Sequence, residues 1–113
     1  MPNQFAAQAP LFHALGDPTR LAIVQCLSRR PETVSALAAP HDMALPSFMQ
    51  HLRVLEKSGW IRSTKTGRVR TCELNPEALA LTGGWLERQR NLWERRLDQL
   101  DDYLLKMKQE EEK

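Results

Sequence analysis

The sequence has little of what defines several common protein classes. Only two of its 113 residues are cysteines, Cys26 and Cys72, too few for a disulfide framework. No uninterrupted apolar run exceeds four residues, whereas a membrane-spanning helix needs about 20. The first residues do not lead from a basic stretch into an apolar one, so we expect no secretory signal. These absences predict a cytoplasmic protein without a membrane anchor.

The patterns of an active site are also missing. The five glycines mark turns or helix ends and form no phosphate-cradling loop. No nucleophile has an orienting base, and no carboxylate pair lies in an apolar pattern, so we expect neither enzymatic activity nor a cofactor. What is present, 42% hydrophobic and 27% charged residues, is typical of one globular domain with a modest core.

Positive charge is concentrated in the middle of the chain. Residues 1–43 carry three basic and three acidic side chains, which cancel. Residues 44–75 carry six basic and two acidic side chains, a net charge of +4, and residues 76–113 carry seven and nine, a net charge of −2. A basic stretch within a neutral or acidic remainder indicates contact with a polyanion.

Four helices are predicted in the first half. Residues 1–9 lack periodicity and are expected to be flexible, and one domain is expected over 10–108. Pro10 and Asp17-Pro18 are start signals for two helices, and Thr33 can cap a short third. The fourth helix runs from about Leu45 to Ser58 and ends at Gly59. Its apolar residues fall at spacings of four and three, as an amphipathic helix requires: Phe48, Leu52 and Leu55.

The second half begins with a change of period. Residues 60–66 and 69–74 are rich in β-branched side chains and are joined around Gly67, which predicts a β-hairpin with a basic tip. A helical turn at Pro76 is expected to be interrupted by Thr82-Gly83-Gly84. A last helix is predicted over about 85–108, followed by a charged, disordered tail over 109–113.

The predicted fold class is therefore mostly α with a small β-hairpin. A short helix, a turn and an amphipathic helix form a helix-turn-helix, whose second helix enters the major groove, and the basic hairpin is its wing. We expect double-stranded DNA as the partner. The expected DNA-contacting residues are Ser47, Met49, Gln50, His51, Arg53, Lys65, Arg68 and Arg70.

Several of these residues allow more than one role. His51 either contacts DNA or covers the turn. Gln50 and Arg53 could read base edges, bind phosphate or meet only water. Arg68 and Arg70 suit phosphate or minor-groove contact, and Arg20 either reaches the DNA backbone or pairs within the protein.

Three segments resemble the ArsR family of winged-helix repressors over about residues 10–108. His13–Arg20 is similar to its "AL-x-DPTR" opening, and Leu45–Ile61 is similar to its recognition helix. Trp85–Arg90 and Trp93–Asp98 are similar to the dimerisation helix of one branch. The resemblance implies a homodimeric, cytoplasmic, DNA-binding transcriptional repressor.

The chain departs from this family at the recognition helix and at the metal-sensing positions. Ala44 and Met49 stand where the family usually has serines, so base preference is expected to differ. Thr33 and Ser35 occupy the places of the soft Cys-x-Cys ligands, and no histidine follows His51, so no metal site is expected. Cys26 and Cys72 are interpreted as small core residues, with a redox switch as the alternative.

The last helix carries a heptad-like apolar stripe, here called the seam. Its residues are Leu86, Trp93, Leu97, Leu100 and Leu104. We expect the seam to form a symmetric dimer, the alternative being packing on the chain's own first helix. The competing function is a winged-helix module that binds protein instead of DNA. The operator, the regulated genes and any inducer are not predicted.

Overall fold

The computed structural model describes residues 4–112. The ends of the predicted N-terminal segment and charged tail, residues 1–3 and 113, lie outside the described residues. The elements in chain order are α1 (Gln8–Ala14), α2 (Pro18–Leu27), β1 (Glu32–Thr33), α3 (Val34–Ala38), α4 (Leu45–Ser58), β2 (Ile61–Thr66), β3 (Val69–Leu74) and α5 (Pro76–Glu111). The mostly helical fold with a small hairpin is confirmed.

Local sequence signals set most helix ends. The Asp17 side chain accepts a hydrogen bond from the backbone N–H of Arg20 at 3.0 Å, and proline follows as the first residue of α2. Thr33 caps α3 in the same way, accepting from the N–H of Ala36 at 3.2 Å. Gly59 ends α4 at a φ of 102°, a conformation that a side chain would strain. Ala44 makes no side-chain cap for α4.

The sheet has one more strand than the hairpin predicted from the sequence. Its order is β1-β3-β2, and both pairs are antiparallel. Strand β1 pairs Glu32 with Cys72, which ties the start of α3 to the hairpin. Two residues are too few to show an alternating pattern, which is why this strand was not predicted.

The core lies entirely within residues 4–82. Seven of its large side chains come from four elements and the turn after α4: Leu11, Ile23, Leu27, Phe48, Leu55, Trp60 and Ile61. The indole N–H of Trp60 donates to the carbonyl of Leu11 at 2.8 Å, so the largest core side chain keeps no unsatisfied polar atom. Helix α4, the predicted recognition helix, thus packs on this core through Phe48 and Leu55.

The predicted limits of two helices are wrong. Helix α1 begins at Gln8, two residues before Pro10. Helix α5 is continuous from Pro76 to Glu111, so Gly83-Gly84 does not interrupt it and residues 109–111 are helical. Each glycine costs about 1 kcal/mol in a helix, and the long helix-forming run on their C-terminal side outweighs this. On their other side, the buried Thr82 hydroxyl donates to the Ala78 carbonyl at 2.8 Å.

The chain divides into two compact units between Thr82 and Gly83. The first contains the core and the sheet. The second is the remainder of α5. Within residues 4–112, no helix has the length and apolar character needed to cross a membrane.

Candidate nucleic-acid interface

Helix α4 has two chemically different faces. Phe48, Leu52 and Leu55 are buried in the core. Ser47, Gln50 and Arg53 are exposed and follow one another at three-residue spacing, so they share the outer face. The Nε–H of Arg53 donates to the Gln50 Oε1 at 3.2 Å, which leaves the Gln50 amide protons and the Arg53 Nη groups for other acceptors.

Met49 lies between these two faces. Its side chain is half-buried and packs against the core cluster. It also lines a groove between α4, the start of α3 and the hairpin, with a volume of about 440 Å³. The residues around this groove, here called the wing groove, are Thr33, Val34, Ser35, Met49, Lys65, Arg68, Val69 and Arg70.

Three cations of the hairpin line the wing groove. Lys65 and Arg70 are direct cross-strand partners, so their side chains leave the sheet on the same face. Arg68 belongs to the turn between them. In the part of the chain that the structure describes, none of the three forms an ion pair with an acidic side chain. Like charges placed opposite each other are unfavourable, so a bound anion would relieve this arrangement.

His51 belongs to a different cluster. Its Nδ1 lies 3.1 Å from the Arg20 Nη1 and 3.6 Å from the Asp17 Oδ2. Arg20 also donates from Nε to the carbonyl of Ala14 at 2.6 Å. The hydrogen bond from the Arg20 backbone N–H lowers the pKa of the Asp17 carboxyl, although partial burial opposes this. Arg20 therefore bonds within the protein, one of its two expected roles.

The structure brings together only part of the predicted contact set. Met49, Lys65, Arg68 and Arg70 meet at the wing groove, while Ser47, Gln50 and Arg53 form a separate exposed row. Thr33 and Ser35 are groove residues that the sequence analysis did not assign to DNA. The signal that could have found them is strand β1, whose pairing with β3 carries them to the hairpin.

Neither cysteine lines the wing groove. Cys72 is buried in the core, where desolvation raises the pKa of its thiol, and Cys26 packs against the same cluster. Both are free; the interpretation as a core residue is confirmed for Cys72, whereas Cys26 is only partly buried. Among residues 4–112, no group of three or more histidine, cysteine or acidic side chains could hold a metal ion.

The seam of α5 is open in the single chain. Its five side chains are between 52% and 62% exposed: Leu86, Trp93, Leu97, Leu100 and Leu104. A row of exposed apolar side chains of this kind is a candidate interaction site.

The chain is similar to known transcriptional regulators. A family profile described as a helix-turn-helix domain matches residues 15–64. An HTH-type transcriptional regulator of Mycobacterium tuberculosis is 35% identical over 86 residues, which cover 76% of this chain and 78% of the relative.

Solved structures agree with this sequence match. The crystal structure of an ArsR family transcriptional regulator is 52% identical, with a TM-score of 0.76, over 83% of this chain and 97% of that one. A homodimeric winged helix-turn-helix DNA-binding domain from Mycobacterium bovis has the same fold, with a TM-score of 0.61 at 20% identity, over 79% of this chain and 83% of that one.

Proposed function

This chain belongs to the ArsR family of winged helix-turn-helix transcriptional regulators, and we propose that it is a cytoplasmic repressor that binds an inverted-repeat operator as a homodimer. The observation that carries the proposal is the placement of three cations, Lys65, Arg68 and Arg70, in the groove beside the recognition helix, where they form no ion pair within residues 4–112. Phosphate oxygens are the anions that this arrangement suits.

In this proposal the recognition helix reads bases and the wing binds the DNA backbone. The exposed row of Ser47, Gln50 and Arg53 enters the major groove, where a glutamine amide can pair with adenine and a guanidinium with guanine. The cations of the wing groove bind the sugar-phosphate backbone. Because Met49 is half-buried, only the exposed part of its side chain can contact DNA, where it can meet a thymine methyl.

Repression through an inverted repeat requires a twofold dimer. The seam supplies the surface, since burying one large apolar side chain contributes about 1.5–3 kcal/mol and a dimer buries two copies of each. A similar winged domain from Mycobacterium bovis is itself homodimeric. Two recognition helices related by a twofold axis then meet half-sites about 10 base pairs apart, or a multiple of that.

The decisive experiment is DNA binding as a function of salt. A binding sequence is first selected from random duplex DNA, and its affinity is then measured at several salt concentrations. Each phosphate neutralised contributes a log–log slope of about −0.9, so a slope of a few units is expected. A flat response, or no binding at low salt, contradicts the proposal.

The competing function, a winged-helix module that binds protein, makes the opposite prediction. Its recognition surface would not need the net charge of +4 on residues 44–75. Replacing Lys65, Arg68 and Arg70 together by alanine separates the two functions. DNA binding should be lost. A protein-binding module would instead bind DNA weakly and without salt dependence both before and after the substitution.

A further inference from the structure

We propose that Arg20 fixes the tautomer of His51 so that the Nε2–H of the ring donates a hydrogen bond to an acceptor atom of bound DNA. Arg20 is then a positioning residue and His51 a DNA-binding residue. The proposal rests on the DNA-binding function above and adds to it the atom that makes the contact and the group that prepares this atom.

The geometry at Nδ1 determines which ring nitrogen carries the proton. The Arg20 Nη1 lies 3.1 Å from the His51 Nδ1. A guanidinium only donates hydrogen bonds and stays protonated in proteins. The Nδ1 atom must therefore accept, which requires its lone pair. In a neutral ring the proton then sits on Nε2.

Arg20 is itself held in place on two sides. Its Nε donates to the carbonyl of Ala14 at 2.6 Å, and its backbone N–H donates to the Asp17 Oδ2 at 3.0 Å. The guanidinium thus joins the end of α1 and the start of α2 to the recognition helix. A group anchored in this way can orient a ring, because its own position is set before DNA arrives.

The other ring nitrogen is open. The His51 side chain is 23% exposed, and the structure gives its Nε2 no hydrogen bond within residues 4–112. No buried side-chain nitrogen or oxygen of the described chain lacks a hydrogen-bond partner. The unbonded Nε2 must therefore be accessible to solvent. His51 lies one helical turn after the exposed Ser47, so both belong to one side of α4.

Two substitutions separate the two ends of the ring. Asparagine at position 51 places an amide oxygen near the Nδ1 position and offers nothing at Nε2. Glutamine places its amide near Nε2 and leaves Arg20 without an acceptor at Nδ1. We expect His51→Asn to keep a near-wild-type Tm and to lose about tenfold in DNA affinity, as for one hydrogen bond to a charged group. We expect His51→Gln to keep more affinity than His51→Asn and to lose more in Tm.

The pattern of losses tests the proposal independently of the general function. Wild-type affinity in His51→Asn, or losses of affinity that follow Tm in both variants, would overturn it. Absence of DNA binding by the wild-type protein would instead contradict the proposed function. The acceptor is identified by comparing two duplexes. A loss confined to the selected sequence indicates a base, and an equal loss on an unrelated sequence indicates a phosphate.

Nitrogen-15 NMR of the histidine rings measures the tautomer in the DNA-free protein. At about pH 8, where an ordinary imidazole is mostly neutral, we expect the His51 ring to carry its proton on Nε2. In Arg20→Met the nearest partner of Nδ1 becomes the Asp17 carboxylate, 3.6 Å away, so the proton should move towards Nδ1. Arg53→Met makes the same change at an exposed arginine of α4 and should leave the ring unchanged.

A wild-type ring protonated on Nδ1 would refute the proposal even if Arg20→Met does not fold. An Arg20→Met protein that folds and keeps the wild-type tautomer would also refute it.

Discussion

The two units of this chain treat apolar side chains in opposite ways. In residues 4–82 the large apolar residues of the core are buried, and Leu55 is 0% exposed. In residues 83–112 no residue is buried, and the five seam side chains are at least half exposed. The first unit is stabilised by its own buried core. The apolar surface of the second is stabilised only when a second surface covers it, so in the proposed dimer DNA binding depends on association.

The largest effect is expected from breaking this association. Trp93→Asp places a charge in the seam and should dissociate the proposed dimer. Two linked half-site contacts then become one, and affinity for the full inverted repeat should fall by about 10²–10⁴-fold. The Tm of the first unit should hardly change. Sedimentation and gel-shift titrations measure the two effects.

Asn91→Asp is the matched control for this variant. Residue 91 is two positions away on the opposite, polar side of α5, where it lies near Glu94, Arg95 and Asp98. The same negative charge there should leave the dimer and its DNA affinity nearly unchanged. A Trp93→Asp dimer that persists, or a monomer with full affinity, would place the interface elsewhere.

The same chemical change in each unit sharpens the comparison. Leu55→Ala creates a cavity in the core and should lower the free energy of unfolding by about 2–5 kcal/mol at every protein concentration. Leu100 is 52% exposed in the single chain, so Leu100→Ala should matter only where the wild type is dimeric. Thermal unfolding at several protein concentrations tests this. Equal losses in the most dilute samples would show that the seam is covered within one chain.

Within the first unit, helix and wing should respond differently to alanine substitution. Gln50→Ala and Arg53→Ala should blur base preference at a cost of about 1–3 kcal/mol for a bidentate contact. Arg68→Ala should weaken all sequences alike and make the salt slope shallower by about 0.9. Selection of sites from random duplexes compares the variants. A changed sequence preference in Arg68→Ala alone would reverse the two roles.

The accuracy of the sequence predictions depends on how local the signals are. Helix α4 was predicted with the bounds that the structure shows, because its start, its period and its terminal glycine are all local signals. The hairpin was predicted for the same reason. Strand β1 was missed because its pairing with β3 joins residues distant in sequence. The glycine pair was misjudged because the helix-forming run that follows it outweighs the cost of Gly83-Gly84.

The candidate site was less predictable than the fold. The charges of the wing were visible in the sequence, but their meeting with Ser35 and Met49 in one groove depends on tertiary packing. The link from Arg20 to His51 spans 31 positions and belongs to no short motif, so sequence reasoning left the role of both residues open.

The smallest expected effects compare the starts of α2 and α4, one capped and one not. Removing the cap by Asp17→Ala should lower the free energy of unfolding by about 1 kcal/mol, and supplying one by Ala44→Ser should raise it by a similar or smaller amount. Denaturant titration at neutral pH measures both. Since Ala44 lies at the start of the recognition helix, Ala44→Ser should also leave sequence preference unchanged if its gain is purely a cap.

The cap at Asp17 should also depend on pH. The pKa of this carboxyl in the folded chain is lowered from its ordinary 3.8, chiefly because it accepts the Arg20 N–H. A lowered folded pKa means that the ionised carboxyl contributes stability above the unfolded pKa and loses that contribution as the pH falls through the folded pKa. The difference in unfolding free energy between wild type and Asp17→Asn should therefore be constant near neutrality and shrink below about pH 4. Because asparagine can still cap, this comparison isolates the charge, and a difference that persists unchanged down to about pH 2 would show that the ionised carboxyl is not what stabilises α2.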